Sequence, residues 1–228
     1  LPRINEDINE EWISDKTRFA YDGLNKNRLD RPWVKKNNKL VEATWDEAFR
    51  SIQDKIAGIN GNRIAAIAGN LADCESMFAL KKLMAKFNSP NLDCRQDGSK
   101  LNHNVRSSYL FNSQISGIDK SDYIFLIGCD PRWEAPILNA RIRKRFLAGG
   151  LEVAVLGTLP ERLNGLTYPY IDLGNDPSVL SKILSNEHEI SKKLQNADAP
   201  MIILGQSALI RDDADAILSV LHKISNTM

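Results

Sequence analysis

The stretch Tyr123-Ile124-Phe125-Leu126-Ile127-Gly128-Cys129 decides the fold, because five apolar residues run without a break into a glycine and then a small side chain. The same pattern recurs at residues 64–68 before Gly69, at 153–156 before Gly157 and at 201–204 before Gly205. Continuous apolar runs of this length are typical of strands buried on both faces, as in a parallel sheet covered by helices. The four runs therefore predict buried parallel strands.

Helical segments separate or follow these strands. They are predicted at roughly residues 73–87, 136–147, 177–184 and 212–224. Another helix is predicted to begin at Trp45, because the hydroxyl of Thr44 can cap it and apolar residues then recur at helical spacing. Alternating strands and helices predict an α/β fold, a doubly wound, mostly parallel sheet with helices on both faces. The strand order does not follow from the sequence.

The chain is predicted to contain a lead-in and one domain. Residues 1–40 are polar and highly charged, whereas apolar periodicity begins after them, so the domain is expected at residues 41–228. Prolines and glycines are concentrated near residues 160–178. If the domain contains two subdomains, the boundary between them is expected there. The chain begins Leu1-Pro2 without an initiator methionine, so we expect it to be a piece of a longer protein.

Composition excludes several functional classes. The formal net charge of the 228 residues is +1, without the basic excess of a nucleic-acid-binding surface. The longest apolar runs have the length of strands, so no direct membrane insertion is expected. The three cysteines and three histidines are scattered, with no zinc-ligand or iron–sulfur spacing. No nucleotide-binding glycine motif, nucleophile elbow or paired carboxylate motif is present.

Two features are candidates for chemistry. The glycines that end the strands either admit a ligand to the carboxyl edge of the sheet or only form the turns into the helices. The turn 128–136 carries Arg132 and Glu134, which either meet a ligand or partner or are solvated charges on a rigid turn. Within that turn, Cys129 is either a reactive thiol at a helix entrance or a small buried side chain.

A basic run covers Arg141-Ile142-Arg143-Lys144-Arg145-Phe146. On a helix, its charges spread over the outer face while its apolar residues form an inner face. Two interpretations stay open. The charges are solvated, or they contact an acidic partner subunit.

Several stretches resemble the molybdopterin oxidoreductase family. They are Trp45-Asp46-Glu47-Ala48, the strand 122–128 followed by Asp130-Pro131, and the loop 148–153. Within that family, the chain is more similar to the large iron–sulfur subunits of respiratory NADH:quinone oxidoreductase, complex I. The stretches that carry this similarity are residues 2–7, 9–16, 18–24, 131–136, 139–144 and 204–209.

The resemblance implies a fold inherited without its metal centre. Ser14 stands where some relatives have a cysteine that ligates a cluster, and serine is a poor substitute for that thiolate. Cys94 and Ser99 are the nearest candidates for a molybdenum ligand, in the stretch 94–99, but neither matches the family convincingly. No catalytic, cofactor-binding or metal-ligating residue is therefore assigned.

The resemblance also implies partners, cofactors and a location. The 2Fe-2S and 4Fe-4S iron–sulfur clusters of the full-length protein are expected upstream of Leu1. The expected partners are the other hydrophilic-arm subunits of complex I, which transfers electrons from NADH to quinone and translocates ions. The expected location is the cytoplasmic face of the bacterial inner membrane as a peripheral subunit, or the matrix side in mitochondria. In this interpretation, the chain itself is a structural domain and not a catalyst.

Two rival functions remain open. One is a molybdenum-pterin-dependent oxidoreductase domain, similar to formate dehydrogenase. The other is a binding module that holds a nucleotide in the crevice at the strand ends.

Overall fold

In this computed structural model, the structure describes residues 1–94, 97–102, 104–157 and 166–228. The chain forms two compact units. The sheet unit comprises residues 1–19 and 98–228, and the hairpin unit comprises residues 20–97. The predicted boundary after residue 40 and the predicted subdivision near 160–178 differ from these units. Because part of that subdivision falls outside the described residues, the predicted domain division stays a prediction.

The described elements alternate between strands and helices for most of the chain. The strands are β1 (Trp33–Lys36), β2 (Lys39–Glu42), β3 (Ala66–Ile67), β4 (Leu92–Asp93), β5 (Tyr123–Ile127), β6 (Glu152–Leu156), β7 (Ile171–Asp172) and β8 (Pro200–Leu204). The α-helices are α1 (Asp15–Phe19), α2 (Trp45–Ile56), α3 (Cys74–Lys86), α4 (Pro131–Glu134), α5 (Pro136–Leu147), α6 (Ser178–Leu184), α7 (Glu189–Asn196), α8 (Gln206–Leu209) and α9 (Ala214–Ser225). Short 3-10 helices cover Tyr21–Leu24, Gly61–Arg63, Arg106–Ser108 and Ile115–Lys120.

The sheet unit is built on a parallel sheet in the order β7-β6-β5-β8. Strand β5 lies between β6 and β8, and Tyr123 is opposite Glu152 on one side and Pro200 on the other. The predicted α/β class and parallel sheet are confirmed here. The chain moves outward from β5 to β7 and then returns to the far side of β5, which is the reversal that defines a doubly wound sheet.

All five residues of β5 are buried, because their side chains alternate between two apolar layers. Phe125 faces the layer that contains residues of α6, α7 and α9, such as Ile190. Ile124 and Leu126 face the opposite layer, which contains Ile142 of α5. Helices therefore cover both faces of the sheet, as the continuous apolar run predicts.

The hairpin unit departs further from the sequence-based prediction. Its antiparallel hairpin β1-β2 was not predicted, although Asn37 and Asn38 both have positive φ angles, the backbone required by a tight hairpin turn. Within the described residues, the run 64–68 forms strand pairs at Ala66 and Ile67, where it lies beside the equally short strand β4. The predicted cap of α2 is present as a reciprocal capping box between Thr44 and Glu47.

Helix α7 was also not predicted from the sequence. His188 caps it, because its Nδ1 accepts a hydrogen bond of 3.3 Å from the amide of Ile190. The side chains of Ile190 and Leu194 are buried on one side of the helix. An apolar pair four residues apart is too short a pattern to distinguish a helix by itself. No helix among the described residues is long and apolar enough to cross a membrane.

The packing of β5 predicts the effect of truncating its central side chain. Phe125→Ala should lower the free energy of unfolding by about 3–5 kcal/mol, because the ring is fully buried and its removal leaves a cavity. Urea denaturation measures the change. Leu147→Ala, at the exposed end of α5, is the control and should change stability by less than about 1 kcal/mol. Equal losses in the two variants would contradict the assigned core.

Candidate functional site

Three of the strand-end glycines meet at the carboxyl edge of the sheet. Gly128 follows β5, Gly157 follows β6 and Gly205 follows β8, whereas Gly69 follows β3 in the hairpin unit. A Cβ atom built on Gly157 would lie 3.5 Å from the amide nitrogen of Gly128. The amide of Gly205 donates a hydrogen bond of 2.7 Å to the carbonyl of Ile127. The edge is therefore a tight junction of backbone turns.

Gly205 is required at this junction because of its close approach to the end of β5. A Cβ atom there would lie 2.6 Å from the carbonyl carbon of Gly128 and would also collide with Cys129. Gly128 itself has a φ of +59°, and a Cβ on it would lie 2.8 Å from the Ser207 hydroxyl oxygen. These contacts favour the interpretation in which both glycines form the turns into the helices over the one in which they admit a ligand.

A cavity of about 410 Å³ adjoins this junction. It is lined mainly by apolar side chains, and its polar groups include Ser207 and Arg211. The Ser207 hydroxyl donates to the Gly128 carbonyl at 2.5 Å. The Arg211 guanidinium donates two hydrogen bonds, of 2.6 and 2.8 Å, to the carboxylate of Asp213. Since the Ser207 hydroxyl and two N–H groups of Arg211 are engaged inside the protein, their geometry favours structural roles over nucleotide binding.

The turn that leaves β5 is capped by its own side chains. Asp130, only 2% exposed, accepts the amide of Arg132 at 3.1 Å, and Glu134 accepts the amide of Asp130 at 2.9 Å. Pro136 occupies the first turn of α5, as predicted. Trp133 is 73% exposed on the short helix α4. Glu134 therefore stabilises the turn, and Trp133 is the large side chain that it presents to solvent.

Cys129 is a buried thiol. Its side chain is 6% exposed, and Sγ lies 3.8 Å from the carbonyl of Ile203. Burial raises its pKa to about 12, and the nearby Glu134 carboxylate acts on the pKa in the same direction. Because the thiolate is the reactive form, the structure favours the inert interpretation of this cysteine.

The two molybdenum-ligand candidates differ in their exposure to solvent. Cys94 is exposed and Ser99 is buried, while residues 95–96 between them lie outside the described part of the chain. His103 also lies outside it. Across the described ranges, no group of three or more histidine, cysteine or acidic side chains is placed to hold a metal ion.

The basic run contacts acidic and carbonyl groups of the same unit. Arg141 is 5% exposed and donates three hydrogen bonds, of 2.8–3.2 Å, to the carboxylate of Asp119. It also donates to the backbone carbonyls of Glu6 at 2.7 Å and Ile8 at 3.4 Å. Three of the run's charges are thus used inside the chain, since Lys144 forms an ion pair with Glu10 and Arg145 donates to the carbonyl of Gly149. Neither predicted interpretation, solvation or an acidic partner, describes Arg141.

Ser14 has a local structural role. Its hydroxyl oxygen accepts the amide of Thr17 at 3.3 Å and lies 3.0 Å from the Thr17 hydroxyl. This geometry caps the first turn of α1. The suggestion that the position has lost a cluster ligand stays a prediction.

Comparison with known families identifies the fold. The family model described as molybdopterin oxidoreductase matches residues 28–228. The chain belongs to the molybdopterin oxidoreductase family. A second model, described as the NADH-ubiquinone oxidoreductase NDSU1/NuoG-like 4Fe-4S domain, matches residues 1–22 of this family member. The segment held by Arg141 therefore lies within the part that resembles an iron–sulfur domain.

Relatives of this molybdopterin oxidoreductase family member carry a more specific name. Proteins named as the G subunit of NADH-quinone oxidoreductase from Rickettsia felis and Rickettsia conorii are each 48% identical to it, and that from Rickettsia prowazekii is 46% identical. Each alignment covers 98% of this chain and 33% of the relative. The predicted resemblance is confirmed, and the chain spans about a third of the length of the curated relatives that it matches.

The family name implies a molybdenum–pterin cofactor, whose phosphates need free cationic or backbone donors and whose metal needs a ligand. At the strand-end cavity, Arg211 and Ser207 are engaged by protein groups. Cys94, a candidate ligand, is an exposed thiol without a cluster of ligating side chains around it in the described residues. These observations favour structural roles for the described Ser207 and Arg211 side chains over binding of this cofactor.

The close packing at the glycine junction predicts that alanine is tolerated differently at Gly205 and at Gly69. Gly205→Ala should lower the free energy of unfolding by about 3 kcal/mol or more, because rigid backbone opposes the added methyl group. Gly69→Ala is the matched control, since nothing lies within 4 Å of its Cβ position. Chemical denaturation compares the variants. A Gly205→Ala protein as stable as Gly69→Ala would show that the junction is not close-packed.

The burial of Cys129 predicts selective alkylation. At pH 8, iodoacetamide should modify the exposed Cys74 and Cys94, while Cys129 stays unmodified, because only about one in ten thousand of its side chains is a thiolate at that pH. Raising the pH to 9 should leave Cys129 protected, since its raised pKa lies well above that pH. Peptide mass spectrometry locates the modification. Labelling of Cys129 at a rate similar to Cys74 in the native protein would contradict its burial.

Proposed function

We propose that the chain is part of the large iron–sulfur subunit of an NADH:quinone oxidoreductase and acts there as a cofactor-free scaffold. The observation that carries this proposal is the joining of two family matches on one chain. The segment that resembles an iron–sulfur domain, residues 1–22, is continuous with the molybdopterin oxidoreductase match at 28–228. The relatives named for the G subunit of NADH-quinone oxidoreductase support the same assignment.

The scaffold role is supported by what the polar groups of the sheet unit do. Near the strand ends, the hydroxyl of Ser207 and the guanidinium of Arg211 bind protein groups, and the thiol of Cys129 is buried. Such groups stabilise turns and elements but offer no nucleophile, base or metal ligand to a substrate. The unit's part in electron transfer is then to hold the iron–sulfur-bearing portion of the subunit in place.

In this proposal, the 2Fe-2S and 4Fe-4S clusters belong to the portion of the subunit that precedes Leu1. The partners are the other subunits of the hydrophilic arm of complex I. The subunit is peripheral, at the cytoplasmic face of the bacterial inner membrane, and the assembled complex couples electron transfer from NADH to quinone with ion translocation.

The scaffold proposal predicts a defect in assembly. A subunit from which only residues 98–228 are deleted should fail to enter the NADH:quinone oxidoreductase complex. The reason is that most of the sheet unit, which supports the iron–sulfur portion, is then missing. Native gel electrophoresis of membranes, stained for NADH oxidation, measures the assembled complex, with the re-expressed intact subunit as the control. Normal assembly with reduced turnover would show that the unit does not act as a scaffold.

Elemental analysis separates the scaffold from the molybdenum-dependent alternative. The purified full-length subunit should contain iron and no molybdenum, because the Ser207 hydroxyl and two N–H groups of Arg211 at the strand-end cavity already bind protein groups. About one molybdenum atom per subunit would favour the alternative, a formate dehydrogenase-like oxidoreductase. Absence of both metals would contradict the assignment to an iron–sulfur subunit.

A further inference from the structure

Arg141 joins three parts of the sheet unit that are far apart in the chain. It belongs to α5, which packs on β5 through Ile142. Its guanidinium binds Asp119 of the 3-10 helix Ile115–Lys120 and the carbonyls of Glu6 and Ile8, which are 135 and 133 residues away in the sequence. One side chain therefore connects the N-terminal segment to the core of the sheet.

The chemistry of this contact is specific to arginine. A guanidinium is planar and offers five N–H donors in a fixed fork, so it can bind a carboxylate and two carbonyl oxygens at the same time. The hydrogen bonds to Asp119, and the charge of that carboxylate, raise the pKa of Arg141, so the group stays charged. A buried charge that loses its hydrogen-bond partners is strongly destabilising. This cost favours the conformation in which the N-terminal segment stays bound to Arg141.

The segment that Arg141 holds has little packing of its own. Residues 1–12 contain no helix and no extended strand, apart from an isolated bridge between Asn5 and Glu10. The amides of Ile8, Asn9 and Glu10 all donate to the carbonyl of Asn5, so they form one turn. Glu10 adds an ion pair with Lys144, one helical turn along α5 from Arg141. The turn is therefore attached to the unit through polar contacts with α5.

We propose that Arg141, oriented by Asp119, is the positioning residue that fixes the iron–sulfur-like N-terminal segment to the α/β unit. The inference rests on the proposed function, because it is the family match at residues 1–22 that makes this segment the continuation of an iron–sulfur portion. Because the segment is fixed to the sheet unit, the iron–sulfur portion that continues from it is held at a defined position relative to that unit. Arg141 acts through the backbone of the segment and touches no cofactor itself.

Hydrogen exchange in the purified full-length subunit tests this role. In Arg141→Met, the amides of Ile8, Asn9 and Glu10 should exchange at least about tenfold faster than in the wild type, because the turn that protects them is released. Exchange in β5 should change little, since its protection depends on the apolar layers. Mass spectrometry of peptides from both regions gives the two rates.

Two further variants separate positioning from general destabilisation. Arg143→Met is the matched control, because Arg143 is an exposed residue of the same helix, and it should leave exchange in the segment unchanged. Arg141→Lys should give an intermediate rate, because an ammonium keeps the charge but does not reproduce the fork of donors. Wild-type exchange at residues 8–10 in Arg141→Met would overturn the proposal, and so would an equal acceleration in Arg143→Met.

The same samples distinguish this inference from the proposed function. Iron is measured in each full-length variant. A wild-type protein without iron would contradict the iron–sulfur assignment, whatever the exchange rates show. An iron-containing protein whose N-terminal segment exchanges normally in Arg141→Met would overturn only the positioning role.

Discussion

The burial of β5 on both faces is the constraint on which the sheet unit depends. A strand whose five side chains are all apolar needs a layer of helices above and below, and parallel neighbours need crossovers that supply those helices. Helix α5 supplies one layer between β5 and β6, and α6, α7 and α9 supply the other. The return of the chain to β8, on the far side of β5, completes both layers.

The same arrangement brings the strand ends together and determines what they can do. In open parallel sheets, this edge is the usual place for a ligand. Here Gly128 and Gly205 approach each other so closely that the junction is filled by backbone, and Ser207 closes it with a hydrogen bond to Gly128. At Gly128 and Gly205, this edge of the sheet is thus used for packing.

The N-terminal segment shows how a buried charge can replace an apolar interface. Residues 1–12 have few buried side chains, and their attachment depends on polar contacts with α5. A guanidinium with several satisfied hydrogen bonds gives a directional contact, which fixes orientation more narrowly than apolar packing does.

The sequence by itself determined the strands β5, β6 and β8, the helices α2, α3, α5, α6 and α9, and the α/β class, because apolar runs and helical periodicity are properties of neighbouring residues. The hairpin β1-β2 and the helix α7 were missed, since two asparagines and one apolar pair are weak local signals. Only the tertiary structure decided the strand order, the glycine junction and the role of Arg141. The hydrogen bond from Ser207 to Gly128 joins residues 79 positions apart, and that from Arg141 to Glu6 joins residues 135 positions apart. A basic run on a helix has the same local pattern whether it faces solvent, a partner or its own chain, so its role depends on which carbonyl and carboxylate groups the fold places beside it.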